Sequence, residues 1–198
     1  KIVIKNSENT PIEILKCVFN DCITSEHIIA LPDLAKNIQI SNCSFTFINE
    51  NKVSKAVYSK TNNILFLGNT FHNCAADTIE VEGLDESNTI QFIENTFINC
   101  YKGEIFDISF KKQPIIEGNN FLFASLTSPI LIIKLLNELD TLLLVRNTFS
   151  NFIMNSEWGG IALQTEIEKD DGQLHLVFNN CTFRNNTNQN IDHPGGAF

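Results

Sequence analysis

Basic residues are scarce in this chain: Arg occurs only at 146 and 184, and Lys and Arg together number 14 against 23 Asp and Glu. The formal net charge is therefore -9, and Lys and Arg build no patch that could meet a phosphate backbone, so a nucleic-acid partner is not expected. Long hydrophobic runs are missing as well. The most apolar stretch, Ile130 to Val145, is interrupted by Lys134, Asn137, Glu138 and Asp140. It falls short of the ~18 consecutive apolar residues a membrane helix requires, and no span is expected. The 6 cysteines contain no Cys-x-x-Cys, which leaves a four-ligand zinc cluster without a template; no metal and no cofactor is expected. Trp158 is the single Trp. It is a candidate sugar-stacking platform, weighed against the commoner fate of a partly buried anchor.

What is abundant is Phe, with 16 copies, and Asn, at about one residue in eight. With 43% hydrophobic residues over 198 positions the chain can bury a sizeable core. Asn favours turns and left-handed backbone, so a fold with many corners is implied.

The corners are periodic. GNTFHNC (68–74) is followed by ENTFINC (94–100), and aligning on the Phe adds KCVFNDC (16–22), NCSFTFI (42–48), GNNFLFA (118–124), RNTFSNF (146–152) and NCTFRNN (180–186). The anchors Phe19, Phe45, Phe71, Phe97, Phe121, Phe149 and Phe183 are separated by 26, 26, 26, 24, 28 and 34 residues. Such self-similarity is the signature of a repeat architecture.

Apolar runs of β-forming composition precede the later copies, IQIS, ILFL, IQFI, PIIE, LLLV and LHLVF, and in Ile38-Gln39-Ile40 and Ile90-Gln91-Phe92 the period is two. Three before the Phe stands Gly68, Gly118, Asn42 or Asn180, residue types that accept a left-handed corner. Further runs follow the motif, as in TIEVEG (78–83), EIFDIS (104–109), PILIIKLL (129–136) and GIALQTEI (160–167). Each repeat thus holds two or three short strands around corners. The compact way to stack them is an all-β parallel β-helix, a solenoid of about seven coils of roughly 26 residues over one domain, 1–198. Equivalent residues then stack at the strand spacing of ~4.8 Å. The Phe anchors become a ring stack filling the bore. Asn69, Asn95, Asn119 and Asn147 become an inward amide ladder bonding the neighbouring coil's backbone.

The pattern Ile-x-Ile-x-Gly-Asn-Thr-Phe-x-Asn resembles the repeat of right-handed parallel β-helix proteins, a group that includes pectate-lyase-like enzymes, tailspikes and bacterial surface passengers. Gly159-Gly160-Ile161, Phe183-Arg184-Asn185-Asn186 and Gly195-Gly196-Ala197-Phe198 resemble the polymorphic membrane protein repeats of autotransporters and protist surface proteins, in which Gly-Gly-Ala alternates with Phe-x-x-Asn. The earlier copies depart from that pattern, carrying Phe-x-x-Cys. The resemblance implies right-handed coiling and an adhesin-like, extracellular or cell-surface role, and transfers no catalytic residue. Because 195–198 read as the opening of a further coil, a piece of a longer rod is expected.

Three cysteines lie two before the Phe (Cys17, Cys43, Cys181) and three lie three after it (Cys22, Cys74, Cys100). Stacked coils place Cys17 beside Cys43 and Cys74 beside Cys100, about 5 Å apart, within disulfide reach. The competing reading is a ladder of small buried hydrophobes. Asn42, Asn180 and Asn185 head N-x-Ser/Thr sequons, as a secreted glycoprotein would carry them and as an Asn-rich chain also acquires by chance.

Two function classes follow. One is a non-catalytic surface or secreted stalk or adhesin-like module that contacts a glycan, a protein ligand or neighbouring copies through the widened segments 47–55, 135–141 and 166–173. The other is a polysaccharide lyase or glycoside hydrolase whose acidic groove would be Asp77, Glu80, Glu82, Glu104 and Asp107, which two adjacent coils bring onto one face. For those carboxylates the competing reading is a solubilising strand face.

Overall fold

The structure, a computed structural model, describes residues 2–3, 11–20, 27–31, 37–46, 55–60, 63–74, 78–83, 89–100, 105–126, 131–135, 141–154, 163–167 and 175–189. Every paired strand among them runs parallel to its neighbours, in three sheets whose members recur every third strand. Sheet 1 stacks Ile2–Val3, His27–Ala30, Lys55–Lys60, Ile79–Gly83, Phe106–Phe110, Leu131–Leu135 and Leu163–Ile167. Sheet 2 stacks Ile12–Leu15, Ile38–Ser41, Asn63–Leu67, Thr89–Ile93, Ile115–Glu117, Thr141–Val145 and His175–Asn179. Sheet 3 stacks Val18–Asn20, Ser44–Thr46, Thr70–His72, Thr96–Ile98, Asn120–Leu126, Thr148–Met154 and Thr182–Arg184, with Thr187–Asn188 beside the sixth. The chain is an all-β parallel solenoid. No described residue is helical.

The alternation read from sequence sets which side chains enter the bore. In Asn63–Leu67 and Thr89–Ile93 every second residue is buried, because successive side chains of a strand point to opposite faces. Sheet 2 contributes the columns Ile12, Ile38, Ile64, Ile90 and Ile14, Ile40, Phe66, Phe92, and sheet 1 contributes Ile29, Val57, Ile79, Phe106. The Phe anchors form one continuous stack from Phe19 to Phe183, with successive centroids 4.7 to 5.1 Å apart and rings within 11° of parallel. Phe106 crosses from sheet 1 to meet Phe97 and Phe121 edge-on. Stacked and edge-on aromatic pairs each add ~0.5–1.5 kcal/mol beyond area burial. Burial fades in the last described coil, where Leu176, in register with fully buried Leu142, is 42% exposed.

The corner between sheets 2 and 3 carries a second column. Its outward residue has positive φ in all seven copies: Lys16, Asn42, Gly68, Glu94, Gly118, Arg146 and Asn180 lie between 53° and 66°. Gly and Asn account for four of these. Lys16, Glu94 and Arg146 adopt the left-handed region at a cost of ~1–2 kcal/mol each, which the stack imposes on them. Main-chain bonds between coils continue through the corner, as in Glu94 N to Glu117 O at 3.0 Å and Thr96 N to Asn69 O at 2.8 Å. The N–H of the intervening inward residue is turned to a side chain instead. Cys43 N donates to Asn69 Oδ1 (2.9 Å), Asn69 N to Asn95 Oδ1 (3.0 Å), Asn95 N to Asn119 Oδ1 (3.0 Å) and Asn119 N to Asn147 Oδ1 (2.9 Å).

Each amide nitrogen also reaches back to the preceding coil. Asn69 Nδ2 donates to Ile40 O, Asn95 Nδ2 to Phe66 O, Asn119 Nδ2 to Phe92 O and Asn147 Nδ2 to Ile116 O, at 2.8 to 3.0 Å. One carboxamide thereby satisfies a carbonyl below and an N–H and an amide from the rung before, and all four Asn are at most 1% exposed. Removing one leaves the buried N–H of the preceding rung without its acceptor, at ~1–3 kcal/mol, and takes one bond from a buried carbonyl. Asn95→Ala is expected to lower unfolding free energy by about 1–3 kcal/mol. Asn99→Gly, which removes an exposed amide bonded to Asn73 Oδ1 at 2.7 Å and keeps the positive φ accessible, is expected to cost under about 1 kcal/mol. Urea denaturation of the two variants checks both values.

Candidate functional site

Three of the five candidate carboxylates, Glu80, Glu82 and Asp107, lie within the described residues, on the outward face of sheet 1; Asp77 and Glu104 lie outside them. The register sets Glu80 beside Asp107 on adjacent rungs, one strand spacing apart, and sets Glu82 beside Ser109 and Lys60. Like charges this close call for counter-charge, and lysines of the preceding coil supply it. Lys55 Nζ pairs with Glu80 Oε2, and Lys60 Nζ meets Glu82 Oε2 at 3.1 Å. The hydrogen bond that Lys60 donates to Glu82, with a smaller contribution from Tyr58, holds the Lys60 ammonium above its ordinary pKa. Glu80 and Glu82 are thus each engaged by a lysine of the preceding coil. No group of three or more His, Cys, Asp or Glu among the described residues could hold a metal ion. His72 and His175 are exposed, as their places next to inward positions imply.

Among the described residues, two grooves lie on the outward face of sheet 2. Register aligns Glu13, Gln39, Leu65, Gln91 and Ile115 in one column. Leu143 and Val177 pair directly and lie farther along the same face. A groove of about 290 Å³ crosses the first rungs, lined by Pro11, Glu13, Asn37, Gln39, Asn63, Leu65 and Gln91. Its amides are held in place: Gln39 Nε2 donates to Ser41 Oγ (3.2 Å), Asn63 Nδ2 to Asn37 Oδ1 (3.3 Å), and Asn63 Oδ1 accepts from Thr89 N (3.0 Å). Farther along, a groove of about 590 Å³ is lined by Lys112, Gln113, Pro114, Ile115, Glu117, Leu143 and Val145. Ile115 is 41% exposed there and Val177, farther along the face, 40%, and Glu117 is engaged by Arg146. The face thus grades from fixed amides to apolar side chains, with few charges along it. Sequence reading had passed it over, although Asn37 and Asn63, and Gln39, Leu65 and Gln91, recur at the repeat spacing of 26.

The cysteine columns are resolved more sharply than their spacing had allowed. Cys17, Cys43 and Cys181 occupy the same corner position as the four ladder Asn, two before the Phe. Cys43 Sγ stands in for the carboxamide: it lies 3.4 Å from Ile14 O, where an amide would donate, and takes Cys17 N at 3.4 Å, where an amide oxygen would accept. Cys181 Sγ reaches Leu144 O at 3.4 Å in the same way. Cys74 and Cys100 stack in the inward column at the far end of sheet 3, where Cys100 Sγ approaches Phe71 O at 3.9 Å. Asn186, in that column, makes a 3.0 Å bond to Phe149 O. The five described cysteines are free thiols. Burial pushes the Cys43 thiol up, opposed by the hydrogen bond it accepts from the Cys17 N–H, and pushes Cys74 well above the usual range, with the adjacent Cys100 adding to that rise.

Of the remaining candidates, Asn42, Asn180 and Asn185 are exposed at left-handed corner positions, and Asn185 Nδ2 donates to Asn151 Oδ1 at 3.2 Å. Trp158, Cys22, both Gly-Gly motifs and nearly all of the widened segments lie outside the described residues. No family model, no curated protein and no solved structure matches the chain.

The sheet 1 charges are expected to act as surface ion pairs. A double-mutant cycle of Lys55→Met and Glu80→Gln should give a coupling of about 1 kcal/mol or less, falling further as salt is raised. Thermal or urea unfolding at low and high ionic strength measures it.

Proposed function

We propose that the chain is a non-catalytic β-helix module of a surface or secreted protein, and that it binds a neutral, extended, hydroxyl-rich ligand of the glycan class along sheet 2. The observation that carries this reading is the graded face itself. The hydrogen-bonded amides of Asn37, Gln39 and Asn63, with Gln91 beside them, offer both donors and acceptors to hydroxyl groups. Leu65, Ile115 and Leu143 offer apolar surface to the C–H faces between those hydroxyls. Repetition at the strand spacing of ~4.8 Å suits a ligand that is itself repetitive.

Charge supports the same choice. A net charge of -9 and a groove whose only carboxylate at its polar end is Glu13 disfavour acidic polysaccharides and phosphates alike. The ion pairs at Glu80 and Glu82 speak against the polysaccharide-cleaving alternative, because a general acid or base must keep its carboxylate free to take or give a proton. The extracellular or cell-surface placement rests on the resemblance of Phe183-Arg184-Asn185-Asn186 and the neighbouring Gly-Gly motifs to surface-passenger repeats.

A glycan array, with release of reducing or unsaturated ends read from the same polysaccharides, tests this. Binding to neutral glycans without turnover is expected, weakened about 5- to 30-fold by Gln91→Ala through loss of ~1–2 kcal/mol of hydrogen bonding. Glu80→Gln should leave binding unchanged. Turnover that Glu80→Gln or Asp107→Asn abolishes would replace this reading with an enzyme.

A further inference from the structure

The two stacked thiol pairs differ in one respect that decides their chemistry. Ser44 N bonds to Cys17 O at 2.9 Å, so Cys17 and Cys43 sit on adjacent rungs of the corner column. The strand spacing of ~4.8 Å falls within the Cα range of ~4.4–6.8 Å that a disulfide spans. Cys17 N lies 3.4 Å from Cys43 Sγ, and the Cys17 thiol makes an exposed contact with Leu15 O at 3.4 Å. Cys17 is half-buried, whereas Cys43, Cys74 and Cys100 are each 2% exposed. An oxidant in solution can therefore reach one member of the first pair and neither member of the second. Cys181 is also half-buried, but the adjacent rung of its column holds Asn147 and offers no second thiol.

The position also gives a disulfide something to do. From Asn69 to Asn147 the coils are joined by amide bonds near 3.0 Å, while the first two rungs are joined through sulfur contacts of 3.4 Å. Thiols are weak donors and acceptors, so the amide ladder ends one rung short of the first coil.

We propose that Cys17 and Cys43 are an oxidisable pair whose disulfide clips the 11–20 coil to the 37–46 coil, and that Cys74 and Cys100 stay reduced in the sealed bore. The oxidant is a low-molecular-weight disulfide such as oxidised glutathione. The Cys17 thiol loses its proton and attacks one sulfur of the oxidant, forming a mixed disulfide and expelling one glutathione thiolate. The Cys43 thiol then loses its proton and attacks Cys17 Sγ, forming the protein S–S bond and expelling the second. Two protein thiols surrender two protons and two electrons, and the oxidant's S–S bond is reduced to two thiols.

Native protein incubated with oxidised glutathione, alkylated before and after denaturation and mapped by mass spectrometry, decides the matter. A Cys17–Cys43 crosslink is expected, with Cys74 and Cys100 labelled only after denaturation. Closing a loop of 26 residues should slow hydrogen exchange in Ile12–Asn20 by at least about tenfold relative to the reduced protein. Cys17→Ser should abolish the crosslink and Cys74→Ser should leave it. Four results on the wild-type chain would each overturn the proposal: a Cys74–Cys100 bridge forming first, a bridge to Cys22, glutathione retained on Cys17 with Cys43 free, or no oxidation.

Discussion

Everything in this solenoid depends on the inward residue at the corner between sheets 2 and 3. A coil must turn sharply there, and the left-handed residue that makes the turn, Glu94 or Gly118 for example, sets the following N–H away from the main-chain ladder. That donor is buried, and a buried donor without an acceptor costs ~1–3 kcal/mol. The carboxamide of the next coil supplies the acceptor, and its nitrogen satisfies a carbonyl one coil back. The amides, with the thiols of Cys17, Cys43 and Cys181 in the same place, fill the corner beside which the ring stack packs continuously.

A one-dimensional stack of this kind has consequences for what its surface can do. Any side chain placed on one rung is displayed again at ~4.8 Å if the next repeat keeps it. Sheet 1 uses that property to alternate Lys60 with Glu82, which cancels charge. Sheet 2 sets Gln39, Leu65, Gln91 and Ile115 in one column, and so offers a long face with few charges. For the proposed glycan site, specificity would reside in the order of residues along a column rather than in one enclosed pocket.

Much of the fold was legible because the repeat is written in residues with a single structural use. Phe71 and Phe97 at a fixed spacing can stack only if their strands lie in register, and the alternation in Ile90-Gln91-Phe92 leaves little choice of face. The inward amide ladder was readable for the same reason. The left-handed backbone at Lys16, Glu94 and Arg146 was not, because no local propensity announces it; the neighbouring rungs enforce it. The link between Cys43 and the Asn column was visible as a shared offset from the Phe. It was obscured by treating thiol and amide as unlike, when both fill the same hydrogen-bonding place. The candidate site was the least legible part. Clustering of Glu80, Glu82 and Asp107 in sequence concealed the lysines that neutralise two of them from the preceding coil, and the grooves of sheet 2 arise from residues 26 positions apart that no local motif connects.

The measurement that tests the account most directly is native-state hydrogen exchange at the backbone amides of Cys43, Asn69, Asn95 and Asn119. These four donate to side-chain oxygens rather than to a strand. If the amide column holds the coils together, they exchange as slowly as the strand amides of Ile40, Phe66 and Phe92, through opening of the whole stack. Exchange at the rate of exposed corners, while those strand amides remain protected, would contradict the central claim.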